Sequence, residues 1–248
     1  MLAIIGGSGL TQLANLEVTH RQVVRTPYGE PSGALTFGNL KGRKVIFLAR
    51  HGYGHTIPPH KVNYRANIWA LHSQQAGNVL AVAAVGGIRA DLGPGTLAIP
   101  GQIIDYTYGR EFTFFDATDR GVTHTDFSYP YHEPLRARLL RAAALAGERV
   151  IAGGTYAATQ GPRLETAAEI NRLERDGADM VGMTGMPEAA LAREIGLPYA
   201  AIAVVVNHAA GRGSSEHGIN LTDINAVSRE AMMRVHVILE KLVELDGD

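Results

Sequence analysis

The chain has 248 residues, 46% of them hydrophobic and 19% charged, with a formal net charge of −1, 29 Gly, 11 Pro and no Cys. That balance excludes a disordered chain and a surface built for nucleic acid or anionic membrane. The lack of Cys removes disulfides, thiolate zinc sites, iron–sulfur clusters and thiol nucleophiles.

In chain order, the opening Met1-Leu2-Ala3-Ile4-Ile5 has no basic region and runs straight into Gly6-Gly7-Ser8-Gly9. This reads as a strand and a turn, not a secretion signal. Short apolar runs at 2–5, 44–48, 80–85, 101–106, 150–157, 180–183 and 199–206 predict strands. Several are apolar at consecutive positions, as in strands covered on both faces. Helical patterns fill 64–76, 134–146, 165–176, 187–195 and 223–245, with Thr222 as the expected N-cap of the last. Gly77, Gly147, Gly177 and Gly196 are the expected helix stops. No apolar run approaches the ~18 residues that span a bilayer. The composition is even and lacks repeats or linkers. The expectation is therefore one domain over 1–248, of α/β class, with a central mixed β-sheet flanked by helices and cytoplasmic by default.

Several segments could carry chemistry. Gly6-Gly7-Ser8-Gly9 follows a strand, so backbone N–H groups and the Ser8 hydroxyl could approach an anion. It lacks the third glycine of a dinucleotide fingerprint and the Gly-Lys-Ser/Thr ending of a nucleotide phosphate loop, and a tight turn explains the same glycines. Arg50-His51-Gly52 ends a predicted strand, and a guanidinium can bind phosphate bidentately; the plainer reading is a surface arginine and a loop histidine. His51, His55 and His60 have no nearby carboxylate and share a segment with Pro58-Pro59, so no metal site is expected. Val82-Ala83-Ala84-Val85-Gly86-Gly87 is a buried strand running into two glycines, the end at which α/β sheets bind ligands. Thr184, in Gly182-Met183-Thr184, sits where a helix N-terminus would favour an anion, and Glu188 there could simply complement the helix dipole. Asn207 ends a fully apolar strand; its amide can donate to one atom and accept from the next, which suits a lactam-like edge, although a turn residue is the simpler account.

Taken together and in order, these segments resemble the trimeric purine nucleoside phosphorylase family, in its methylthioadenosine phosphorylase branch. The strongest stretches are Ile4-Ile5-Gly6-Gly7-Ser8-Gly9-Leu10, Arg50-His51-Gly52, Val62-Asn63-Tyr64-Arg65-Ala66-Asn67-Ile68-Trp69-Ala70, Gly161-Pro162-Arg163 and Gly182-Met183-Thr184 followed by Pro187-Glu188. The resemblance implies phosphorolysis: phosphate attacks the ribosyl C1′ of a purine nucleoside through an oxocarbenium-like transition state, releasing base and sugar 1-phosphate. Inorganic phosphate is then a co-substrate, and no metal or other cofactor is implied. By the resemblance Ser8, Arg50, His51, the Ala84 backbone and Thr184 bind phosphate, and Met183 packs under the ribose. Gly86, Leu164, Glu165 and Asn207 surround the base, and Asn207, Glu165 and His51 are the catalytic set. Leu164 stands where the family usually has Phe, and Ala83 where the branch commonly has Thr.

Two departures bear on the substrate. Adenine-specific relatives carry Asp at the position of Asn207 and again two residues later; here the segment is Asn207-His208-Ala209. Six-oxopurine phosphorylases carry Asn there, with a Glu matched by Glu165, which can accept from N1–H. Phosphorylases of ordinary nucleosides hold the 5′-hydroxyl with a His at a position that falls here on Leu221, near Ile219 and Ile224, with His217 the nearest histidine. An apolar pocket suits a methylthio group. The expected reaction is phosphorolysis of 5′-methylthioinosine to hypoxanthine and 5-methylthioribose 1-phosphate. The expected assembly is a homotrimer, or a hexamer built from trimers, with His124 entering the neighbouring subunit's 5′-pocket. The alternatives are a phosphorylase of inosine and guanosine, a methylthioadenosine phosphorylase and, from other classes, a nicotinamide-dependent oxidoreductase or a non-enzymatic nucleoside binder.

Overall fold

The structure, a computed structural model, describes residues 1–116 and 121–245. β1 (Leu2–Gly6) is buried at every position, and β5 (Asn78–Gly87) and β11 (Tyr199–His208) at nearly all of theirs. Their continuous apolar runs are thus explained by cover on both faces. On one side of β5 the sheet runs through β1, β4 (Arg43–Ala49) and β3 (Leu35–Leu40) to β2 (Glu17–Gln22). It also runs from β5 through β10 (Met180–Gly182) and β9 (Thr155–Ala158) to β7 (Gln102–Asp105). β11 pairs with β5 and leads on through β6 (Leu97–Ile99) to β8 (Val150–Ala152). Parallel and antiparallel pairs occur together, so the expected mixed sheet is what forms.

Helices cover both faces. α1 (Tyr64–Ser73) packs with α4 (Glu188–Glu194) in one apolar cluster that includes Ile68, Leu71 and Leu191. α2 (Glu133–Leu145) packs with α5 (Leu221–Leu245) in another, through Leu135, Leu139, Val235, Ile238 and Leu242. Each such fully buried Leu or Ile contributes about 1.5–3 kcal/mol. α3 (Ala167–Arg175) turns only Ile170 and Leu173 inward; its start is fixed by a capping box between Thr166 and Glu169. Among the described residues no helix is long and apolar enough to cross a membrane.

The differences from the sequence reading have local causes. The run 150–157 is two strands, because Gly153 (φ +102°) and Gly154 (φ +96°) break the pleat. β2 is a wholly exposed edge and β6 a very short strand, so neither shows apolar alternation. β3 contains Gly38 and Asn39. Gly147, Gly177 and Gly196 take positive φ just past helix ends as expected, but after α1 that role falls to Gln75 (φ +60°), not Gly77. α5 begins before Thr222, and the cap is Asn220, whose Oδ1 accepts from the Thr222 N–H at 3.0 Å.

The sheet itself makes room for a site. β11 follows β5 along its length, from Val79 to Gly87. The other edge of β5 is shared: β1 pairs with Asn78 to Ala81 and β10 with Gly86 and Gly87. Between Ala81 and Gly86 that edge has no strand beside it among the described residues. β1 and β10 splay apart there, and a cavity of about 460 Å³ opens over Ala83, Ala84 and Val85.

Candidate active site

At one end of the cavity the splay is filled by a buried ion pair. Arg50, directly after β4, is 1% exposed and Glu188, the first residue of α4, is 0% exposed. Arg50 Nε donates to Glu188 Oε2 at 2.7 Å and Nη2 to Oε1 at 2.8 Å, while Nη1 donates to the Val82 carbonyl at 3.0 Å. The Tyr199 hydroxyl donates to the same Oε1 at 2.8 Å. Burial works against the Arg50 charge, but the Glu188 carboxylate outweighs it, and the net effect raises the pKa. The side of the guanidinium between Nε and Nη2 is therefore already occupied. Three of its five N–H groups are used, and the two left over sit on Nη1 and Nη2. Gly7 makes this possible: a Cβ there would stand 2.5 Å from the Val82 carbonyl oxygen and 2.9 Å from Arg50 Nη1.

The loop after Arg50 supplies the next groups. His51 Nδ1 lies 2.8 Å from the Ile57 carbonyl, so in the neutral ring Nδ1 carries the proton and Nε2 is an acceptor. Burial first, and then the Arg50 charge, lower its pKa from 6.5 to about 4. The unfolded chain therefore binds a proton between about pH 6.5 and 4 that the folded chain does not. Stability from this group is complete above about pH 6.5 and declines by about 3 kcal/mol towards pH 4. His51→Asn is expected to flatten the fall in Tm over that interval; an unchanged slope by calorimetry would remove His51 as its source. Ser8, in the β1 turn, places Oγ 2.9 Å from His55 Nε2. Thr184 is buried, and its backbone N–H donates to the Tyr156 hydroxyl at 3.2 Å. Ser8, Arg50, His51, Ala84 and Thr184 all line the cavity, joined by His55.

The remaining lining residues are the candidates for the nucleoside. Met183 lines the cavity, with its sulfur packed on Gly161, where a Cβ would come within 2.4 Å. Gly86, Leu164, Glu165 and Asn207 also line it. A bulge between Val205 and Asn207 turns the end of β11 so that Asn207 faces Gly86. Asn207 Nδ2 donates to the His208 carbonyl at 2.6 Å, leaving one N–H and Oδ1 for a ligand. Glu165 precedes the α3 cap and is held by Thr159, whose hydroxyl donates to Oε1 at 2.6 Å. Ile219 and Ile224 complete an apolar corner.

One expected 5′-pocket residue is placed elsewhere. Leu221 is 65% exposed and lines an adjoining depression shared with Leu164, Glu165 and Ile219. As the first residue of α5 it sits on the outer rim, and Ile219 turns inward from the preceding loop. His124 is exposed and does not line the cavity of its own chain, and His217 is likewise exposed and outside it. Sequence reasoning missed the pairing of Glu188 with Arg50, the Ser8–His55 contact and the buried Arg110. Among the described residues no cluster of three or more His, Cys, Asp or Glu side chains could hold a metal ion.

Comparison with known proteins matches this arrangement to one family. The Phosphorylase superfamily pattern matches residues 1–244. The chain is 54% identical to the probable S-methyl-5′-thioinosine phosphorylase of Pseudomonas syringae pv. tomato, over 97% of each chain. It is 46% identical to the 6-oxopurine nucleoside phosphorylase of Pyrococcus furiosus, covering 85% of this chain and 80% of that one. Its fold is similar to methylthioadenosine phosphorylase from Schistosoma mansoni in complex with adenine, with TM-score 0.94, 34% identity, and 99% and 91% of the two chains covered. The chain belongs to the Phosphorylase superfamily.

Proposed function

We propose that this chain catalyses the phosphorolysis of 5′-methylthioinosine to hypoxanthine and 5-methylthioribose 1-phosphate. The observation that carries the reading is that Asn207 and Glu165 line the same cavity as Arg50, His51, Ser8 and Thr184. Hypoxanthine offers O6 as an acceptor and N1–H as a donor. The free Asn207 N–H reaches O6, Oδ1 accepts from N7–H as charge moves onto the ring, and Glu165 accepts from N1–H. Adenine has no N1–H, so it leaves the second Glu165 oxygen, the one Thr159 does not hold, without a partner, a penalty of about 1–3 kcal/mol. The relatives named for 6-oxopurine and methylthioinosine phosphorolysis support the same edge.

Phosphate binds against the two remaining Arg50 N–H groups, the Ser8 and Thr184 hydroxyls and the Ala84 backbone. Neutral His51 takes the single P–OH of HPO4²⁻ on Nε2, leaving unprotonated oxygens for C1′. As the C1′–O bond forms, the C1′–N9 bond breaks and its electron pair passes to the purine. The proton the base acquires comes from solvent, because an amide is no acid at Asn207. Inorganic phosphate is the co-substrate, and no cofactor or metal is required by these steps.

At the 5′ end Ile219 and Ile224 offer a hydroxyl no partner. Of the cavity histidines, His51 is committed to the Ile57 carbonyl and to phosphate, and His55 Nε2 to Ser8. We place the reaction in a homotrimer. The support is the exposed apolar side chains of Tyr108, Phe112, Val122 and Tyr129, each at least two-thirds exposed, in the stretch of sequence that also carries the exposed His124. A monomeric native mass at full activity would overturn that part.

The test is phosphate-dependent base release from methylthioinosine, methylthioadenosine, inosine, guanosine and adenosine. Methylthioinosine is expected to exceed inosine in kcat/KM by about tenfold or more, since burying an unpartnered hydroxyl costs about 1–3 kcal/mol. Inosine turning over as well would sink the apolar-pocket argument, and methylthioadenosine turning over faster would sink the base-edge argument.

A further inference from the structure

Arg110 lies in the irregular segment between β7 and α2, is 8% exposed, and does not line the cavity. It nevertheless gathers much of the cavity's wall. β9 and β10 run side by side, and the Thr159 N–H to Gly182 carbonyl bond at 2.8 Å is the last rung between them. Beyond it the two chains fork, one prong leading to Leu164 and Glu165, the other through Met183 and Thr184 to α4. Arg110 sits in the fork. Nη2 donates to the carbonyls of Thr159 at 3.2 Å and Gln160 at 2.9 Å, and Nε to Gln160 Oε1 at 3.1 Å. Nη1 donates to the carbonyls of Met183 at 2.8 Å and Met186 at 2.6 Å, with the Tyr64 hydroxyl at 3.3 Å. The guanidinium also lies over the Tyr64 ring, 5.4 Å from its centroid. Tyr64 in turn donates to the Pro59 carbonyl, on the wall beside His51 and His55.

None of these acceptors is a carboxylate. A buried cation matched by neutral dipoles alone gains little net stability, because its desolvation offsets the bonds it makes. What it supplies is geometry: a planar fork whose donors fix two loops at a set separation. Lysine, with a single rotatable ammonium and three donors, could not reproduce this.

We infer that Arg110 is a positioning residue for the nucleoside half of the site, splinting the loop of Glu165 to the loop of Met183 where the sheet ladder between them ends. The inference rests on the assignment of this cavity to a purine nucleoside. Thr159 carries the effect one step further, since its carbonyl is held by Arg110 and its hydroxyl holds Glu165. The Arg50 side of the phosphate end has its own anchors in Glu188 and Val82, so of the phosphate groups only Thr184, which lies between the two carbonyls held by Arg110, shares the splint.

The test compares wild type with Arg110→Lys and Arg110→Ala in the full chain. For Arg110→Lys, KM for methylthioinosine is expected to rise about tenfold or more, and KM for phosphate, which depends on the splinted loop through Thr184 alone, by a clearly smaller factor. The preference for methylthioinosine over methylthioadenosine is expected to fall, because Glu165 loses its register. Guanidinium chloride at a non-denaturing concentration is expected to restore KM and preference in Arg110→Ala, where equal sodium chloride does not. A fall in Tm with both KM values and the preference unchanged would overturn the inference, as would failure of both variants to fold, since Arg110 would then serve the fold as a whole. A wild type that releases base from no nucleoside overturns the functional reading instead. Calorimetric titration of hypoxanthine into wild type and Arg110→Lys then still decides the inference, equal Kd values counting against it.

Discussion

Asn207→Asp is expected to move the kcat/KM ratio of methylthioinosine to methylthioadenosine towards the adenine nucleoside by roughly one to two orders of magnitude. The change replaces the one free N–H of the amide by an acceptor. O6 of hypoxanthine then faces a carboxylate oxygen, whereas the 6-amino group of adenine gains a partner. Both terms act in the same direction, and a hydrogen bond to a charged group is worth about 1.5–3 kcal/mol. Absolute rates on both substrates should fall as well. Asn207 Nδ2 is tied to the His208 carbonyl at 2.6 Å, and a carboxylate oxygen in that place is repelled by the carbonyl. Glu165→Gln supplies the complementary change, because its amide can donate to adenine N1. The double variant should therefore favour adenine more than either single one. The Thr159 hydroxyl can still donate to the carbonyl oxygen of the new amide, so the orientation set by that 2.6 Å contact survives the substitution. A ratio unchanged in Asn207→Asp, with methylthioinosine still turned over, would mean that the base edge lies elsewhere in the cavity.

The residues behind that prediction were readable in the sequence because each sits in a short, ordered segment whose chemistry is local. Gly6 to Gly9, Arg50-His51, Gly86, Met183-Thr184 and Asn207 each end a strand, and strand ends converge at the ligand side of an α/β sheet. Ser8, Arg50, His51, Gly86, Met183, Thr184 and Asn207 all line one cavity. The strands themselves were legible where both faces are buried, as in β1, β5 and β11. They were not where an edge is solvated: β2 is exposed at every position, so nothing in its sequence alternates. Leu221 was misplaced because the helix begins at that residue, and an offset of two positions around a helix start decides which side chain turns inward. Glu188 and Arg110 were invisible for a different reason. A carboxylate at a helix start already has a sufficient local explanation in the helix dipole. Nothing local indicates that it is fully buried against an arginine 138 positions away. Arg110 lies in a segment without periodicity, and its partners are mostly backbone carbonyls, which leave no trace in side-chain identity.

Glu188→Gln is expected to produce the largest loss of stability of any single change at this site. It leaves the Arg50 charge, 1% exposed, with neutral partners alone, the Val82 carbonyl and the one remaining amide oxygen. Removing one member of a buried pair costs about 3–5 kcal/mol. For a chain of this length each kcal/mol moves Tm by about 2–4 °C, so a drop of roughly 10 °C is expected. Gln keeps an acceptor for the Tyr199 hydroxyl, so the loss reports on the Arg50 charge rather than on Tyr199. Phosphate adds a second consequence. An Arg50 no longer held along its Nε–Nη2 side can turn its fork away from the cavity, so KM for phosphate should rise while KM for the nucleoside stays close to the wild-type value. The double variant Arg50→Met with Glu188→Gln separates the two effects. Replacing both charges removes the uncompensated cation and spares the desolvation of two buried ions, leaving one amide whose oxygen still accepts from the Tyr199 hydroxyl. Tm should therefore recover most of the loss. Phosphorolysis should not recover, because the two guanidinium N–H groups left for the anion are gone. A double variant that regains both Tm and phosphate-dependent turnover would show that Arg50 serves the fold alone. A single Glu188→Gln variant with unchanged Tm would show that the ion pair contributes little, the Val82 carbonyl and the Gln amide oxygen then being enough to satisfy the buried charge.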